Sequence, residues 1–220
     1  MPNAGKHRKK KLYQYTIYLA ISLVVLVLFW VMNTLDSTPF RLFFGDTNPL
    51  VLATFYVVLG LLLFWIHLSK NWLRVYRKEN TEGLILAAAL ALVFGVITIM
   101  IDLISPFPEG INLPFPLSLL FYPAIGFVVE ILFHLLPLTL LLWLTTKTVK
   151  RWSLKDVIWP VIILVAFLEP QYQVLSGFGT QDLMWTDIYV GVYIFLINLT
   201  QLWLFKRYDF VSMYLFRLVY

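Results

Sequence analysis

Glu130 and His134 lie four residues apart in the run Phe127-Val128-Val129-Glu130-Ile131-Leu132-Phe133-His134, inside a stretch apolar enough to cross a bilayer. At 3.6 residues per turn a helix stacks the two on one face, one turn apart. A charge in the hydrocarbon core costs at least about 2.5–3.5 kcal/mol on insertion scales. Two ionisable groups in one helix therefore need a partner, a cavity or a reaction. A carboxylate beside an imidazole suits a general base that activates water. Hydrogen-bonded to each other, the same two groups lock helix packing instead. Glu169, with Gln173 one turn on, is either a second carboxylate of the same site or the partner of Arg217. Asp102 and Asp187 sit nearer the outer ends of their segments and read as wet.

The elements that must position these groups follow from composition. The chain has 220 residues, 60% of them hydrophobic and 13% charged. A soluble domain carries roughly 25% charged residues, so this is the composition of an integral membrane protein. The absence of cysteine excludes disulfides and thiolate chemistry. With only His7, His67 and His134 as histidines, a protein-built zinc site is hard to complete, and no metal or cofactor is expected.

Apolar runs of about 20 residues mark spans, expected at 13–32, 50–69, 83–104, 118–145, 156–175 and 184–205. The fourth is long enough to include an interfacial turn. A further run, 210–220, rises only about 16 Å as a helix, half a bilayer. Either that helix ends in mid-membrane or the chain is part of something longer. The fold expected is thus all-α: a polytopic membrane helix bundle of about six full spans plus a partial seventh C-terminal helix, forming a single domain over 1–220. The first span is too long, and lacks the small-residue site, for a cleaved signal peptide. Pro106, Pro108, Pro114 and Pro116 make 105–117 a stiff, non-helical cap over the outer end.

Fifteen of the 17 Lys and Arg residues fall on one side of this alternating topology. They lie in the basic tail 1–12, after span two, after span four and after span six. The positive-inside rule then places the N-terminus in the cytoplasm. The net charge of +5 is a topology determinant on this reading and not a nucleic-acid signal.

Membrane helices pack through small residues and turn polar ones toward each other. Span three carries Ala87, Ala91 and Gly95, and a seam of Ala88, Ala91, Gly95, Thr98 and Asp102. Span four carries Pro123, Gly126, Glu130, His134 and Pro137 on one face, and span six carries Asp187, Gly191, Ile194, Asn198 and Gln201. With Glu169 of span five these faces are expected to converge on one polar interior. Spans one and two read as peripheral, and His67 as interfacial. Pro137 and Pro170 leave the carbonyls of Phe133 and Ala166 without their helical donors. Those carbonyls either hold water or a metal ion, or are re-satisfied by neighbouring helices.

Residues 118–220 resemble the CPBP membrane peptidases, the type II CAAX-prenyl endopeptidases and their bacteriocin-processing relatives. Pro123-Ala124-Ile125-Gly126 through Glu130-Ile131-Leu132-Phe133-His134 is similar to the family's first motif, Glu-Glu-x-x-x-Arg with Phe before the Arg. Phe167-Leu168-Glu169-Pro170-Gln171 is the nearest match to its second, Phe-x-x-x-His. The stretch from Asp187 to Tyr220, with the turn Lys206-Arg207-Tyr208-Asp209, is similar in layout to its final helical pair. Val129 stands where the family has one of its paired glutamates, His134 where it has arginine, and Gln171 where it has histidine. The family's last histidine has no counterpart within the chain.

The resemblance implies an intramembrane peptidase that hydrolyses a membrane-associated peptide or protein through a glutamate-activated water. Glu130, His134 and Glu169 would be catalytic, with Gln171, Gln173, Asp187, Asn198 and Arg217 binding or supporting. The alternatives are a catalytically inactive CPBP-fold scaffold or subunit of a membrane complex, and a pigment-binding or carrier protein in which His134 is a ligand. The expected partners are the bilayer, a membrane substrate, and a membrane partner completing the C-terminal helix. A peptidase requires the three catalytic groups around one water-accessible cavity. A scaffold has them paired and dry, with an exposed flat face of small residues.

Overall fold

The computed structural model describes residues 3–104, 113–148, 153–175 and 185–220, and the described residues contain helices and no strand. In chain order the helices are α1 (Asn3–Leu35), α2 (Thr38–Phe44), α3 (Pro49–Lys70), α4 (Thr81–Ile104) and α5 (Ser118–Val129). A π turn (Glu130–Leu135) leads into α6 (Leu136–Thr148). Then follow α7 (Leu154–Ala166), α8 (Leu168–Leu175), α9 (Trp185–Arg207) and α10 (Phe210–Val219). Five stretches are long and apolar enough to cross a membrane: Lys9–Leu35, Pro49–Lys70, Thr81–Ile104, Ser118–Thr148 and Tyr189–Arg207. The protein is a helical integral membrane protein.

Two proline effects shape the middle of the chain. Ser118–Thr148 is helical for 31 residues without the interfacial turn expected there. Its interruption is the π turn just before Pro137, where the Leu136 N–H reaches back five residues to the Ile131 carbonyl. Proline cannot supply the next helical donor, and the wider ring takes up the disruption within the helix. The expected span 156–175 is broken at Phe167 into α7 and α8, neither long enough to cross alone. The Phe167 N–H bonds the Leu164 carbonyl, one residue short of the helical partner, at 3.3 Å. Pro170 leaves the Ala166 carbonyl without a donor from its own helix, and the Asn198 amide of α9 reaches it at 3.4 Å.

The packing reverses the expected roles of the outer and inner helices. α1 lies against α3 and α5, α3 lies against the π turn and α6, and the aromatic side chains of α1 and α3 build the core. Tyr18, Phe29 and Phe64 are fully buried. The Tyr18 hydroxyl donates to the Val57 carbonyl at 2.9 Å. Gly60 makes that approach possible, because a Cβ there would fall 2.1 Å from the Tyr18 hydroxyl. α4 is the peripheral helix: Ala87 and Ala91 pack against Phe216 of α10, while most of its other apolar side chains are exposed. Small-residue seams mark close approach, but α1 and α3 are held by interlocking aromatics, which that rule does not detect.

His67 is also not interfacial. It is fully buried among Phe64, Trp72 and Phe205, with Nε2 2.8 Å from Thr139 Oγ1. The Thr139 hydroxyl donates to the Leu135 carbonyl, so His67 Nε2 is the donor of the pair. Asn71 ends α3 in the left-handed region at φ 54°, and the chain folds back to lay Trp72 over the imidazole.

The segment Asn71–Asn80 then fastens the start of α10. Phe210 and Val211 donate backbone bonds to the carbonyls of Arg74 and Val75, both at 3.1 Å. Asp209, fully buried, caps α10 through the Ser212 N–H and hydroxyl and accepts from the Arg77 N–H and the Asn80 amide. Gln14 of α1 exchanges two hydrogen bonds with the backbone of Tyr76. The starts of α1 and α10 therefore share one end of the bundle with the end of α3. Of the proline-rich cap at the other end, 105–112 lies outside the described residues.

Candidate functional site

The deepest polar cluster is assembled by four elements. The π turn presents Glu130 and His134, both fully buried, with His134 Nδ1 2.5 Å from Glu130 Oε2. α10 sends Arg217 inward, where Nε donates to Glu130 Oε1 at 3.0 Å. Arg217 Nη2 donates to Glu169 Oε2 of α8 at 3.2 Å. Gln173, one turn along α8, donates to Glu169 Oε1 at 3.3 Å. Gln201 of α9 donates its amide to Glu130 Oε1. The arginine thus bridges two carboxylates carried by different helices. Both readings of Glu169 meet in this arrangement: it pairs with Arg217, and through Arg217 it joins the Glu130 cluster.

Local sequence explains how a guanidinium gets there. Gly126 sits one turn before Glu130, and a Cβ at that position would lie 2.9 Å from Arg217 Cγ. Only glycine lets α10 bring its arginine stem flat across α5. One turn before Arg217, the Tyr214 hydroxyl donates to the Pro123 carbonyl at 2.8 Å and fixes the same crossing.

Both carboxylate oxygens of Glu130 are engaged by neighbouring side chains. Oε1 accepts from Arg217 and Gln201, Oε2 faces His134, and the residue is 0% exposed. Arg217 is 16% exposed and the Glu169 side chain 7%. His134 Nε2 and Gln201 Oε1, on two side chains that bond Glu130, have no hydrogen-bond partner, and neither does Asn198 Oδ1 one turn earlier on α9. Each such orphan costs about 1–3 kcal/mol.

Six of the residues expected at a site are therefore brought to one region: Glu130, His134, Glu169, Gln173, Asn198 and Arg217. Gln171 is not among them. It is exposed, because Glu169 and Gln173 share a face of α8 and a residue two along points away from it. The Asp187 side chain lies outside the described residues. Gln201 is the functional neighbour that the expected site left out, although it stands on the span-six seam. Among the described residues no group of three or more His, Cys, Asp or Glu side chains could hold a metal ion.

Fold and site together define a polytopic helical membrane protein with a buried ion-pair network at its centre. No family model, curated protein or solved structure matches the chain.

Proposed function

We propose that the chain is a CPBP-like membrane scaffold, a protein that works by holding and presenting helices and not by hydrolysis. The observation that carries this reading is the state of Glu130: both carboxylate oxygens are engaged by neighbouring side chains and none of its surface meets solvent. The network ties the π turn, α8, α9 and α10 together across four separate stretches of chain. In the membrane reading α7 and α8 count as one broken crossing, which gives six crossings and the half-span α10. The N-terminus is cytoplasmic. In support, the fifteen clustered basic residues require one shared side, and Gln14, Tyr76 and Val211 stand at one end of the bundle.

The second reading, a peptidase in which Glu130 activates water, draws on the three orphan atoms His134 Nε2, Gln201 Oε1 and Asn198 Oδ1. Two of them, His134 Nε2 and Gln201 Oε1, belong to side chains that bond Glu130, and an unpartnered polar atom beside an acid suits a bound water. The experiment that separates the two uses the purified protein in nanodiscs with a library of membrane-anchored peptides, alongside Glu130→Gln. The scaffold reading expects no cleavage that depends on Glu130 and a clear loss of thermal stability in the variant. Cleavage by the wild type that vanishes in a folded Glu130→Gln overturns it in favour of the peptidase.

A further inference from the structure

α1, α4 and α10 do not close completely on one another. They leave an apolar groove of about 540 Å³, floored by Pro123 and Tyr214. Ligand sites fall in the range of about 300–1,000 Å³. Its walls run from Ile21 to Leu28 on α1 and from Val211 to Leu218 on α10, with Leu84 of α4 at the side. Seven residues of helix make about 10 Å of groove, a large part of one leaflet's hydrocarbon depth. The floor offers no free polar group, since the Tyr214 hydroxyl is committed to the Pro123 carbonyl.

One end of the groove adjoins a basic segment. Val211 lines the groove and bonds the Val75 backbone, and Arg74, Arg77 and Lys78 on that same segment are exposed. Asp209 is buried beneath four hydrogen bonds and its charge faces Arg77, while Arg74 and Arg207 add further positive charge there; Glu82 accepts from the Tyr208 hydroxyl. Glu79 is exposed on the segment.

We propose that this groove is a binding site for an anionic phospholipid, one acyl chain lying between α1 and α10 and the phosphate meeting Arg74, Arg77 and Lys78. The apolar length, its opening within the bilayer and the cations at one end match the two halves of such a lipid. This rests on the membrane assignment alone, and its outcome says nothing about whether Glu130 activates water.

The test uses the full chain in nanodiscs of equal phosphatidylcholine and phosphatidylglycerol, with retained lipids counted by native mass spectrometry after gentle extraction. The wild type should retain phosphatidylglycerol in preference. Arg74→Gln, Arg77→Gln and Lys78→Gln should each lower that retention about fivefold, the equivalent of ~1 kcal/mol per basic residue near a charged leaflet. Val24→Trp, on a wall residue that is 58% exposed and so tolerant of bulk, should fill the groove and expel the lipid while the thermal midpoint holds. Equal retention of the two lipids by the wild type overturns the proposal. So does unchanged phosphatidylglycerol retention in a folded Val24→Trp, which would reduce the site to a surface patch of charge. Should Val24→Trp unfold, Leu215→Trp fills the groove from the opposite wall: loss of the lipid from that variant supports the site, and unchanged retention overturns it.

Discussion

Arg217 is the residue on which the buried network turns, and Arg217→Gln is the variant that tests it. The change removes a guanidinium that bonds Glu130 at 3.0 Å and Glu169 at 3.2 Å. It leaves a fully buried carboxylate and a nearly buried one with no cation between them. Breaking a buried ion pair from one side costs about 3–5 kcal/mol in soluble proteins. In a bilayer the unfolded reference also finds partners, and single interhelical hydrogen bonds average only ~0.6 kcal/mol there. Two charge-assisted bonds and two stranded acids place the expected loss at about 3 kcal/mol. Glu130→Gln keeps an acceptor for Arg217 but loses the charge, and should cost about 2 kcal/mol. The double variant is decisive. If the two residues act through each other, it should be more stable than the sum of the single losses by about 1–2 kcal/mol. Reversible unfolding of the four proteins in bicelles, followed by steric trapping, gives all three numbers. Additivity within about 0.5 kcal/mol, or an Arg217→Gln protein as stable as the wild type, would refute the network as the element that holds α10 to the π turn.

Glycines divide by what a methyl group would meet. Gly126→Ala should cost about 1–3 kcal/mol through the Arg217 stem, and Gly60→Ala as much through Tyr18 and Ile131. Gly191→Ala meets nothing within 4 Å and should be neutral or stabilising by up to ~1 kcal/mol in the same unfolding assay. Asp209→Ala strands the Arg77 N–H and the Ser212 N–H, takes the acceptor from the Ser212 hydroxyl and leaves the Asn80 amide with Ser212 Oγ alone. It should cost about 2–4 kcal/mol and raise the proteolysis rate of the Asn71–Asn80 segment, measured by limited digestion at that end. Thr139→Val leaves His67 Nε2 unpaired in a dry aromatic box and should cost about 1–3 kcal/mol in thermal melts. The Asp36 carboxyl is held below the usual carboxylate range by the Thr38 N–H it accepts. A depressed carboxylate helps above its ordinary value and stops helping as pH falls through its folded one. Amide exchange at Thr38 should therefore lose protection toward strongly acid pH, and not when the pH is raised.

The acid–imidazole pair was legible because both signals are local. Two ionisable residues four apart in an apolar run can only stack on one helical face, and the structure stacks them. Pro170 likewise announced an abandoned carbonyl at Ala166. What the sequence does not carry is which distant group answers such a local need. Asn198 and Gln201 stand on one visible seam, yet their depth and the roll of α9 decide which of them meets Glu130 and which the Ala166 carbonyl. Gln171 misled for the opposite reason: alignment with a motif placed it at the site, while the two-residue offset from Glu169 turns it outward. His67 sits near a basic helix end, and from that position it read as interfacial. The left-handed Asn71 and the returning Trp72 bury it, and the fold-back depends on backbone bonds to Phe210 and Val211 far along the chain. Pro137 signalled a disturbed helix without saying whether it would kink or widen into a π turn.

A general base must be able to exchange one of its partners for water, and that requirement weighs on the choice between scaffold and peptidase. For Glu130 the exchange means releasing Gln201, Arg217 or His134. Releasing Arg217 moves α10, and α10 is fastened at three depths: by the Asp209 cap and its backbone bonds to Arg74 and Val75, by the Tyr214–Pro123 bond, and by Arg217 itself. Releasing His134 leaves a second bare nitrogen on an imidazole whose Nε2 is already without a partner. Releasing Gln201 is the least costly of the three, since it undoes one bond of a side chain whose Oε1 is already unmatched. Any catalytic state of this chain must therefore open at α9 while α10 stays fixed. Gln201→Leu removes that bond in advance and should leave the bundle folded. If Gln201→Leu instead costs about as much stability as Arg217→Gln, α9 is locked as firmly as α10, and that result favours the scaffold over the peptidase.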